Sequence, residues 1–113
     1  MTQFDVDRRT SVLLSVMRAL WGEVRPPLRG VAVEWNSHSL EILCYFDGEI
    51  SADDRQSMEC VLTEVIADFP EERDRIRLDC MRKDAPSAVA TLGSWVYRRH
   101  EPILSPPIGS NGG

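Results

Sequence analysis

Residues 10–27, "TSVLLSVMRALWGEVRPP", place Val12, Leu13, Val16, Met17, Leu20, Trp21 and Val24 at three- and four-residue spacing. That period predicts an amphipathic helix with a broad apolar face. Asp7 or Thr10 stands where a cap would start it, and Pro26-Pro27 must stop it, because proline has no amide hydrogen to donate. The period then changes. Val31, Val33 and Trp35 alternate with Ala32 and Glu34, and after "NSHS" Leu40, Ile42, Cys44 and Phe46 alternate with Glu41, Leu43 and Tyr45. Two alternating runs joined by a short polar stretch predict an antiparallel hairpin. The second run is apolar on both faces, which places it centrally in a sheet, and Asp47-Gly48 then turns the chain.

"SADDRQSMECVLTEVIADFP" returns to the helical period, with Met58, Val61, Leu62, Val65, Ile66 and Phe69 in one stripe. Ser51 is placed to cap the free amides of its first turn, with Asp54 three residues on as the capping-box acid, and Pro70 closes it. "RIRLDCM" alternates again, with Ile76, Leu78 and Cys80 inward. "KDAPSAVATLG" is predicted as a loop and "SWVYRRH" as a last strand. The stretch 102–113, rich in proline and glycine and without a period, is expected to be a disordered tail. The order is α-β-β-α-β-β. The expectation is a single α+β domain over 1–101: a four-stranded, mainly antiparallel sheet with both helices packed on it.

Length and composition agree, with 113 residues, 42% hydrophobic and 27% charged, which is room for one domain with one core. The formal net charge of -5 argues against direct nucleic-acid binding, which needs a basic footprint. Neither a signal peptide nor an apolar run long enough to span a bilayer is seen, so the expectation is a cytoplasmic protein without a membrane partner. Cys44, Cys60 and Cys80 are odd in number and widely spaced, which points to three small buried hydrophobes in a reducing compartment rather than to disulfides or zinc. His38 and His100 have no second ligand at metal spacing, and no nucleophile or phosphate-loop motif occurs. No metal, cofactor or catalytic residue is expected.

Charge distribution changes the picture. Ten acidic residues fall between Cys44 and Asp74, with only Arg55 and Arg73 in that stretch against them. Asp53 and Asp54 favour the partly positive start of a helix, and Asp47 suits a turn. Asp68, Glu71 and Glu72 lie instead at the partly negative end, and Glu64 and Asp68 are a like-charge pair four residues apart, which disfavours a helix by roughly 0.2–0.5 kcal/mol. Asp53, Ser57, Glu64 and Asp68 share one helix face, read as the face opposite the apolar stripe. Acids that oppose the helix dipole and each other are better explained by use outside the domain, and complementary charge speeds association with a cationic partner. Tyr45, Trp95 and Tyr97 either fill the core or, if one lies near the acidic rim, anchor a partner. Trp95 and Tyr97 are expected on one face of the last strand.

The blocks "YFDGEIS", "EVIADFP" and "WVYRRHE", within a stretch from about Gly30 to Glu101, resemble small bacterial immunity proteins of toxin delivery systems, contact-dependent growth inhibition among them. The resemblance implies a cytosolic, non-catalytic protein that binds the C-terminal toxin domain of a neighbouring cell's exported protein. Many such toxins are basic nucleases, whose active cleft an acidic inhibitor can cover. The expected contact residues are Tyr45, Asp47, Glu49, Asp53, Glu64, Asp68, Glu71 and Glu72. Two rival readings are a self-associating structural or regulatory module and a small enzyme using Asp47 or Glu49.

Overall fold

The structure, a computed structural model, describes residues 2–35, 38–91 and 93–101. The stretch expected to be a tail, 102–113, lies outside the described residues, as do Asn36 and Ser37 of the hairpin loop. The elements follow in the expected order: α1 (Thr2–Ala19), β1 (Leu28–Trp35), β2 (Leu40–Phe46), α2 (Ala52–Asp68), a 3₁₀ turn (Pro70–Arg75), β3 (Ile76–Arg82) and β4 (Ser94–Arg98).

The fold is α+β, and the sheet runs in the order β3-β2-β1-β4. It is mixed rather than antiparallel throughout. β1 pairs antiparallel with both β2 and β4, while β2 and β3 are parallel, Leu40 facing Ile76 and Cys44 facing Cys80. Parallel neighbours need a crossover connection, and α2 with its 3₁₀ turn supplies it.

Alternation divides the sheet into two faces. One carries Val31, Val33, Leu40, Ile42, Cys44, Phe46 and Ile76, packed against Val12, Val16, Ala19 and Leu20 of the α1 segment and Met58, Val61 and Val65 of α2. Both helices therefore cover this face. The other carries Ala32, Leu43 and Tyr45 under Met81, Val89 and Trp95, so Val89 in the loop after β3 and the β4 tryptophan form the opposite lid. The close seat of Trp95 explains Gly30: a Cβ there would meet the indole ring at 2.6 Å.

Three local expectations are corrected. α1 starts at Thr2, upstream of both proposed caps, and ends at Ala19, well before the prolines. Gly22 turns the chain with φ of 81°, a left-handed conformation that glycine adopts without the Cβ clash other residues meet. Trp95 and Tyr97 do not share a face. The register slips between Val31↔Tyr97 and Ala32↔Trp95, so one extra β4 residue sends Trp95 to the lid and Tyr97 to the main core. Finally, only Cys44 of the three cysteines is buried; Cys60 is exposed on α2 and Cys80 is half-buried.

Candidate partner-binding surface

α2 begins as its sequence requires. The Ser51 hydroxyl accepts from the Asp54 amide at 3.0 Å, and the Asp54 carboxylate accepts from the Ser51 amide at 3.4 Å, a complete capping box. Asp54 is only 3% exposed, and Arg25, from the segment after α1, donates through Nε to its Oδ1 at 2.7 Å. Burial pushes the carboxyl up, but the hydrogen bonds from Arg25 and Ser51 outweigh it and hold the group below the usual aspartate range.

Further along, α2 meets α1 again. Ser15 donates to Asp68 Oδ2 at 2.6 Å and Arg18 donates to the same oxygen at 3.0 Å. The hydroxyl first, and then the guanidinium, lower the Asp68 carboxyl below its ordinary range. Arg8 pairs with Glu72 and lies over the Phe69 ring, 5.5 Å from its centroid. The three ties, Arg8 to Glu72, Arg18 to Asp68 and Arg25 to Asp54, advance along α1 and the segment after it as they step back from the 3₁₀ turn through α2, so the helices run antiparallel.

These contacts move the acidic row. Asp53, Ser57, Glu64 and Asp68 lie along the α2 flank that borders α1, not on the face opposite the core: at one end Asp68 bonds Ser15, and at the other Asp54 bonds Arg25. The carboxylates expected at the contact divide into two sets. Asp68 ties α2, and Glu72 the 3₁₀ turn after it, to α1. Asp47 joins the turn after β2 to the lid, accepting from the Ala85 amide at 3.1 Å and from Arg99 at 3.3 Å. Glu49, Asp53, Glu64 and Glu71 are solvent-exposed and form no ion pair with another described residue. Tyr45 is 4% exposed, its ring 5.7 Å from that of Trp95, so it is a lid-side core residue and not a surface anchor.

Sequence reasoning did not single out the exposed apolar residues. Leu14, Met17, Trp21 and Val24 are 51%, 48%, 77% and 41% exposed. A signal was present: the apolar positions assigned to this helix span roughly half its circumference at 3.6 residues per turn, a wider arc than one sheet face can cover.

Among the described residues no group of three or more His, Cys, Asp or Glu side chains could hold a metal ion. No helix among them is long and apolar enough to cross a membrane. A shallow surface hollow of about 310 Å³ lies between Arg9, Glu34, Trp35 and Ser94. Among the described residues, α2 carries exposed carboxylates outside any ion pair, and α1 and the turn after it carry exposed apolar side chains.

A family profile described as MafI2 immunity protein matches residues 9–101. The chain belongs to the MafI2 immunity protein family. The match spans every element from the middle of α1 through β4 and ends at Glu101, whose carboxylate closes the fold by accepting from Arg29 Nε and Nη2, both at 2.8 Å. A MafI2 immunity protein belongs to a toxin system, and its partner is a cognate toxin protein. No curated protein matches the chain.

Proposed function

We propose that this chain neutralises its cognate toxin domain by stoichiometric binding in the cytoplasm, without catalysis. The observation that carries the reading is the row of unpaired carboxylates beside α1, in a chain of net charge -5 that belongs to an immunity family. Exposed carboxylates outside any intramolecular ion pair can meet cations on a partner, and such complementarity raises association rate and fixes register. Asp53 and Glu64 form the centre of the contact, with Glu49 and Glu71 at its two ends. Asp47, Asp68 and Glu72 border it but serve the fold, each being tied to an arginine of this chain. The toxin class best matched to this charge is a basic nuclease of a contact-dependent or related delivery system. Its phosphate-binding cleft would receive the carboxylates in place of the nucleic-acid backbone.

The test is inhibition by titration. Cognate toxin activity in vitro should fall linearly to the baseline at one equivalent of this protein, and co-expression should restore growth of cells making the toxin. Inhibition at far below one equivalent would instead indicate that the protein turns over a substrate, and an unaltered toxin rate at excess inhibitor would rule the proposal out.

A further inference from the structure

The α1 segment carries more apolar surface than the domain uses. Val12, Val16, Ala19 and Leu20 are buried against the sheet and α2, while Leu14, Met17, Trp21 and Val24 follow one another at spacings of three, four and three and stay exposed. Leu14 and Met17 stand three apart on α1, and Trp21 and Val24 follow in the segment that leaves it, so the exposed apolar side chains make a ridge running from the end of α1 into that turn. Scattered apolar residues on a surface need no explanation, but a contiguous ridge with a tryptophan at 77% exposure does.

The ridge and the acidic row are parts of one surface. Arg18 stands four residues after Leu14 and three before Trp21, and it reaches across to Asp68 on α2. A single row of side chains therefore separates the apolar ridge from the flank that bears Glu64 and Asp53. Arg18 is paired with Asp68 and Arg25 with Asp54, so these two cations beside the ridge are already matched by acids of α2, while Asp53 and Glu64 are not.

We infer that the ridge centred on Trp21 is the energetic anchor of the toxin interface, seated in an apolar pocket of the toxin whose rim is basic and meets Asp53 and Glu64. This rests on the proposed neutralisation of a toxin and names the surface that performs it. Binding energy concentrates in a few aromatic side chains at the centre of an interface, and charged groups at the rim govern encounter. Area requires both parts. A specific complex covers about 800 Å² on each partner, whereas one tryptophan offers on the order of 150–250 Å², so the partner must extend beyond the ridge. Charge selects against a second copy of this chain as the occupant: pairing two ridges would bring the acidic flanks of two molecules of net charge -5 side by side.

The experiment compares wild type, Trp21→Ala and Met17→Ala for binding to the purified cognate toxin domain, with thermal melting as the folding control. Trp21→Ala should weaken Kd by at least about 30-fold, almost all of it in faster dissociation, and Met17→Ala by less. Both residues are exposed, so melting midpoints should stay within a few degrees of wild type. Wild-type binding with Trp21→Ala within threefold of it overturns the anchor and leaves neutralisation standing; no binding by wild type removes the reading beneath it. Sedimentation of the free protein supplies the remaining arm. A concentration-dependent dimer lost in Trp21→Ala would make a second copy the occupant and overturn the assignment to the toxin, whereas a monomer at all concentrations agrees with it.

Discussion

Asp54 shows how one carboxylate can serve two elements. It completes the α2 capping box with Ser51 and receives Arg25 from the segment after α1, while almost wholly excluded from water. Its helix-start role was readable from the Ser51 to Asp54 spacing, but the arginine was not, since 29 residues separate the pair. Removing the side chain discards a cap and leaves Arg25 without its partner. Asp54→Ala should therefore cost about 1–3 kcal/mol in urea unfolding. Asp53→Ala, one residue away and exposed, should change stability by less than about 0.5 kcal/mol. The same contrast explains the other carboxylates. Asp47, Asp68 and Glu72 look identical in composition to Glu49, Glu64 and Glu71, and only the packing of distant arginines against the first set tells them apart.

Among elements, the period-2 and period-3.6 patterns located both helices and all four strands, because each buries one face against a common core. Pairing was less legible. Alternation says which side chains point inward but not which strand lies beside which, so the parallel β2–β3 pair emerges only once α2 is seen to return the chain alongside β2. The extra residue in β4 is likewise silent in composition, and it separates Trp95 from Tyr97. Closure of the sheet rests on Arg29, which is buried on β1. Its guanidinium grips both Glu101 oxygens and donates to the Lys83 carbonyl at 2.7 Å, joining β1 to the ends of β3 and β4. The hydrogen bonds from Arg29 first, assisted by its charge and by Arg99, outweigh partial burial and lower the Glu101 carboxyl from 4.5 to about 2. A carboxyl held below its unfolded value stabilises the fold above that value and loses the contribution as pH falls from about 4.5 towards 2. Acid unfolding in that window should be shallower in Glu101→Gln than in wild type, measured as urea midpoint against pH. Equal slopes would show that the clamp adds no pH-dependent stability.

At the scale of the whole molecule, the surplus of acid was visible along the chain, whereas its setting was not. A helical wheel groups Asp53, Ser57, Glu64 and Asp68 correctly, yet it cannot show that a second helix lies against that flank and draws off Asp68. Nor does an apolar period say how much of itself a neighbour will cover, which is why the Leu14–Trp21 ridge had to be found in the structure. On the proposed reading, the arginines satisfy the acids that hold the fold together, and Asp53 and Glu64, exposed and outside those ion pairs, are what the toxin meets. The most direct test of that claim is the association rate with the cognate toxin domain, followed by stopped flow across ionic strength. It is read for wild type and for a variant combining Asp53→Lys and Glu64→Lys, both exposed and outside the helix ties. Wild type should slow by about tenfold or more between low and physiological salt, and the variant should start slower and show a flat or inverted dependence. Matching rates and slopes in the two proteins would contradict the account.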